Sequence, residues 1–139
     1  MQVEVEDGHR DLDMGEWAVA DADDILETGG ASTCGIVAVL NHTQKRAWLV
    51  HQPTPYMTPD ETNVMLSNAA DDRQPDDCIE ICLAGCGPCA SQAEDQGKLL
   101  ELLRNYFPNL TPHLNWGKKC ICLKFDGPSS SWIHDYQCP

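Results

Sequence analysis

The sequence predicts a mixed α/β domain, and three observations carry that prediction. Apolar, β-branched runs such as "CGIVAVL" (residues 34–40), "AWLVH" (47–51) and "CIEICLA" (78–84) are too short for helices and read as strands. Two other stretches open on helix-start signals, at Thr58 and at Ser91. The order is a hairpin, then helix, strand, helix, strand, and 139 residues suit one domain able to bury a core without metal or disulfide staples.

Residues 1–12 are polar and are expected to form a flexible acidic N-terminus, leaving 13–139 as a single domain. "GEWAVA" (15–20) reads as a strand, "DADD" as a turn, and "ILET" leads into a Gly-Gly turn. "CGIVAVL" and "AWLVH" are strands joined by the polar turn "NHTQKR", which makes them a hairpin. "QPTPYMTPDE" breaks structure with three prolines. Within it Thr58 can cap a helix, Pro59 takes the first helical position and Glu61 closes a capping box, giving a helix to about Ala70. "CIEICLA" follows as a buried strand. Ser91 to Glu94 form a second capping box, after which Leu99, Leu100, Leu102, Leu103 and Tyr106 make one apolar helix face, ended by Pro108. "KKCICLKF" (118–125) is a further strand, turned by Asp126-Gly127, and residues 128–139 carry no clear pattern.

The net charge of −13 is uneven, since residues 1–27 hold ten acids against Arg10 alone and contribute −9 of it. Such a surface repels nucleic acid and anionic membranes. A solvated acidic face is the simpler reading, a docking site for a basic partner the sharper one. The opening residues have no apolar core of signal-peptide length and no run approaches a membrane span, so a cytoplasmic protein is expected, with a secreted effector as the alternative. Eight cysteines without a secretion signal read as reduced, buried thiols rather than a disulfide framework.

The stretch "TGGASTCGIVAVLNHTQKRAWLVH" (28–51) offers Cys34 as a candidate nucleophile and His51 as its base, with a buried thiol and a hydrogen-bonded histidine as the simpler reading of the residues alone. A thiol needs a base or cation beside it to become a thiolate. Cys34 opens one hairpin strand and His51 closes the other, so the turn near 41–46 places them side by side. The glycines before Cys34 allow a sharp turn whose N–H groups can face a developing oxyanion.

This region resembles the chemoreceptor glutamine deamidase family, CheD. The family pattern of a Gly-Glu-aromatic-Ala-Val strand, an Asp-rich turn, an apolar pair, a threonine and a Gly-rich turn into cysteine is matched by 15–19, 21–24, Ile25-Leu26, Thr28 and 29–34. The family's catalytic histidine lies 17 residues after its cysteine and its threonine six before, where His51 and Thr28 stand. The same Cys/His design resembles that of the cytotoxic necrotizing factor toxins. The match covers residues 15–51 well and the rest weakly. The family reads Gly-Gly before its histidine and Leu-Pro after it, where this chain has "RAWLVHQPTP", and its Ser-Cys is Thr-Cys here.

The resemblance implies a CheD-like layered sandwich of mixed, largely antiparallel β-sheet with flanking helices. It implies a protein-glutamine deamidase with Cys34 as nucleophile, His51 as base and acid, and Thr28 as a supporting hydroxyl, needing no cofactor and no metal. The substrates it implies are chemoreceptor-like proteins, with a chemotaxis phosphatase as a possible partner.

A second constellation is Cys82, Cys86 and Cys89, with "CGPC" (86–89) like a thioredoxin-type motif. Cys120 and Cys122 alternate with Ile121, so that a neighbouring strand position would complete a four-thiolate site. A thiol redox or zinc protein is thus the alternative function, and a non-catalytic binding module on the deamidase fold a third. His42 is expected in an exposed turn, His9, His113 and His134 have no recognisable partners, and Trp48 is a core residue or a wall of the Cys34 site.

Overall fold

A hairpin whose residues are apolar on both faces must be covered from both sides, and that requirement sets the architecture. The computed structural model describes residues 1–53, 60–87 and 93–137. The hairpin is β4 (Gly35–Asn41) and β5 (Arg46–Gln52), in antiparallel register from Gly35↔Gln52 to Asn41↔Arg46. Every residue of β4 is buried. The pair sits at the centre of a five-stranded sheet, flanked by β2 (Trp17–Ala20) beside β5, and by β6 (Ile79–Gly85) and β7 (His113–Trp116) beyond β4.

One face of this sheet packs on a four-stranded sheet ordered β1 (His9–Leu12), β3 (Ile25–Thr28), β8 (Ile121–Asp126), β9 (Ser131–Asp135). Ile36, Ala38, Leu40 and Leu49 meet Leu12, Leu26, Ile121, Leu123 and Trp132 there. On the other face Val37, Val39, Trp48 and Val50 meet the apolar sides of α1 (Asp60–Asp72) and α2 (Ala93–Tyr106). The result is a mixed α/β sandwich of two sheets and a helical layer. The β1–β3 and β6–β7 pairs are parallel and the other strand pairs antiparallel. No helix among the described residues is long and apolar enough to cross a membrane.

The hairpin, both helices and the strands read at 15–20, 78–84 and 118–125 are present, with shifted ends. The caps proposed at Thr58-Pro59 and Ser91-Gln92 lie outside the described residues. Four strands differ from expectation, among them β3 over the unassigned "ILET". Residues 9–12 form β1 rather than part of a flexible tail, and Val3 N–H donates to Trp17 O (2.8 Å) while Trp17 N–H donates to Met1 O (3.0 Å). β1 buries one apolar side chain, Leu12, so its sequence reads as polar although its backbone is fully paired with β3. β7 and β9 are also edge strands, held by backbone pairing more than by burial.

The histidines differ too. His42 is not exposed: its Nε2 lies 3.1 Å from Glu80 Oε1, and its Nδ1 accepts the Trp132 N–H at 3.0 Å, which leaves the ring proton on Nε2. His113 Nε2 (2.7 Å) and His134 Nε2 (3.3 Å) reach Glu80 Oε2. Glu80 thereby ties the β4–β5 turn, β6, β7 and β9, joining the two sheets. Burial pushes the Glu80 carboxyl up, but the imidazoles of His134, His42 and His113 outweigh it and hold it below its ordinary value. A carboxyl lowered by folding adds stability above its unfolded pKa and loses it as pH falls through the folded one. Glu80→Gln is therefore expected to cost on the order of 1 kcal/mol at neutral pH, about 3–5 °C in Tm. Thermal melts across pH check this: the gap between the two proteins closes as pH drops below 4.5, the ordinary value for this group.

Candidate functional site

Cys34 and His51 come together because of the hairpin register. Ile36 pairs with His51, and Cys34 stands two residues earlier on the same face, one residue ahead of β4. Diagonal neighbours of this kind lie within side-chain reach. Both line a cavity of about 330 Å³ at the end of the inter-sheet layer. Its remaining lining comes from β1 and the turn after it (Asp11, Leu12, Asp13, Met14) and from Gly29 and Gly30, which carry no side chain to cover the backbone facing the cavity.

Thr28 reaches His51 from the opposite sheet. Its Oγ1 is 2.7 Å from His51 Nδ1 and 2.7 Å from the carbonyl oxygen of Leu12, its register partner across β1–β3. A hydroxyl has one hydrogen, and a carbonyl only accepts. The Thr28 proton therefore goes to Leu12, and Thr28 accepts the Nδ1–H of His51. The network assigns the tautomer with a bare Nε2, the form a general base requires. Thr28 is 2% exposed and His51 4%. Burial lowers the His51 pKa from its ordinary 6.5, against an opposing pull from Asp13 and Asp11. The imidazole is thus neutral at neutral pH.

The turn that presents Cys34 is braced from behind. Cys34 O accepts the Cys86 N–H at 2.8 Å, Ala31 N–H donates to Lys119 O at 3.0 Å, and Gly85 N–H donates to Lys118 O at 2.8 Å. Gly85 has a φ of +74°, and a Cβ there would run into the Cys34 carbonyl. A Cβ on Gly35 would meet Leu99 and the Cys86 sulfur, so the glycine after the thiol lets α2 close over the start of β4. Cys34 itself is 8% exposed.

Among the described residues, the cysteines of the second constellation are not brought together. Cys82 points into the inter-sheet core and Cys86 into the helix-facing core. Burial pushes both thiols up to about 12, which keeps them protonated. β8, which follows Cys120 and carries Cys122, lies in the other sheet and is not a neighbour of β6. Cys89 lies outside the described residues. Among the described residues no group of three or more His, Cys, Asp or Glu is placed to hold a metal ion. Trp48 does not wall the site; it packs against the helices and donates Nε1–H to Asn68 Oδ1 at 2.9 Å. Ser32 and Thr33 are exposed turn residues.

Sequence reasoning missed the Leu12 carbonyl, the 85–86 brace and the carboxylates of Asp11 and Asp13. A backbone acceptor leaves no residue-type signal, and Asp11 and Asp13 do not stand out among the ten acids of residues 1–27. No family model matches this chain, and no curated protein matches it in sequence.

Two substitutions test the geometry. Thr28→Val removes the acceptor that holds Nδ1–H and is expected to slow Cys34 alkylation about tenfold at neutral pH, the rate equivalent of one buried hydrogen bond. Peptide mapping after iodoacetamide treatment measures it. Gly85→Ala forces both a strained φ and a collision with Cys34, and is expected to cost about 2 kcal/mol or more in denaturant unfolding.

Proposed function

We propose that the protein is a cysteine-dependent protein-glutamine deamidase, as the resemblance of residues 15–51 to the CheD family implies. The observation that supports it most is the buried Thr28–His51 hydrogen bond, which leaves His51 Nε2 bare in the cavity that Cys34 also lines. The reaction balances as hydrolysis of a side-chain carboxamide. His51 Nε2 takes the Cys34 proton, and the sulfur bonds to the carboxamide carbon. The oxyanion is held by N–H groups of the 29–34 turn, that of Cys34 among them. His51 returns the proton to the departing nitrogen, the C–N bond breaks, and ammonia leaves a thioester on Cys34. Water, deprotonated by His51 Nε2, displaces the sulfur, which takes that proton back from His51, giving glutamate and free thiol. Thr28 orients the imidazole throughout. In this reading the substrate is a protein bearing the target glutamine, chemoreceptor-like or another, and a chemotaxis phosphatase is a candidate partner.

Ammonia release and a +1 Da mass shift in glutamine-containing proteins test the reading. Cys34→Ala is expected to abolish activity, and His51→Ala to lower it by about 10²–10⁴-fold. The Cys86→Ala/Cys89→Ala protein is expected to retain it. Loss in that double variant alone would shift the function to the second cysteine group. Because burial favours neutral His51, the acid limb of kcat/KM is expected below 6.5, where an ordinary histidine would place it.

A further inference from the structure

We infer that the Cys34 cavity selects a glutamine flanked by a cationic side chain, lysine or arginine, and that Asp11 and Asp13 make the selection. The inference rests on the deamidase reading of the same cavity and names its substrate class. The two acids are not themselves the site; they border one built around Cys34 and His51.

Asp11 and Asp13 both line the cavity, and both are exposed. The carboxylates around them are already paired: Glu27 with His9 at 2.7 Å, and Glu16 with Arg10 at 3.4 Å. Among the described residues neither Asp11 nor Asp13 has an ion-pair partner. Asp11 also stands directly opposite Glu27 in the β1–β3 register. Like charges so placed cost a sheet stability, and a cation bound beside them relieves the repulsion. Burial, Glu27 and Asp13 push the Asp11 carboxyl up and outweigh the downward pull of His9 and His51.

Met14 completes the rim. It lines the same cavity and is 62% exposed. Carboxylates beside an exposed apolar side chain match what lysine and arginine carry, a methylene stem and a charged end. The wider field acts in the same direction, because the segment that supplies this rim holds most of the net negative charge. An acidic flank would be repelled.

Three peptides identical except for the residues beside a single glutamine (lysine, alanine or glutamate) test this with the full chain and its Asp11→Asn/Asp13→Asn variant. The readout is the ratio of kcat/KM for the lysine peptide to that for the glutamate peptide, in which any shared effect on His51 cancels. The wild type is expected to give about tenfold or more at low salt, falling toward unity in the variant and at high salt. A wild-type ratio near one, or a ratio undiminished in the variant, overturns the inference and leaves the deamidase reading standing. No hydrolysis of any peptide counts against the reading, and the inference falls with it. Cys34 labelling by a cationic against an anionic methanethiosulfonate reads the same field without turnover. A cationic preference that the variant loses supports the selection; equal rates in the wild type contradict it.

Discussion

A hairpin buried on both faces cannot carry a histidine near its end without giving the imidazole a hydrogen-bond partner, because an unpaired buried polar group costs ~1–3 kcal/mol. Here the partner comes from the other sheet. The Thr28 hydroxyl meets His51 Nδ1, and the Leu12 carbonyl takes the hydroxyl proton. Three strands, β1, β3 and β5, must therefore end together at one edge of the sandwich. The cavity lies at that edge, with Cys34 delivered by the strand next to β5. Packing and chemistry share one constraint, since the bond that satisfies the buried ring also leaves its second nitrogen bare.

The Glu80 cluster supplies a polar tie elsewhere between the sheets. It engages the β4–β5 turn, whereas Cys34 and His51 lie toward the open end of the same hairpin. The apolar contacts of the inter-sheet layer lie between these polar ties. Two fixed ties over an apolar layer restrict how far one sheet can slide on the other, and so hold Thr28 in reach of His51. The glycine at 85 adds a third restraint, because its close approach lets the Cys86 N–H hold the Cys34 carbonyl.

The parts of the fold legible in the sequence were those with strong burial. β4 and β5 announce themselves by continuous apolar, β-branched runs, and α2 by its leucine spacing. β1 and β9 do not, because β1 buries only Leu12 and β9 only Trp132, and their backbone pairing is independent of side-chain type. At the site, the 17-residue spacing of Cys34 and His51 was legible because it spans one hairpin. Thr28 was legible only through family resemblance, since its contact with His51 crosses between sheets. Glu80 and its histidines at 42, 113 and 134 share no spacing at all. The four-thiolate arrangement failed for a related reason: it assumed that β8 neighbours β6, and strand order across two sheets is not written in local pattern.

Thr28 holds His51 as the neutral tautomer protonated on Nδ1, which leaves Nε2 bare. Long-range proton–nitrogen correlation NMR on protein labelled with nitrogen-15 in histidine reads this directly at neutral pH. His51 is expected to show a protonated Nδ1 and an unprotonated Nε2, and Thr28→Val to lose this bias. A proton on Nε2 alone, or an imidazolium at neutral pH, would contradict it.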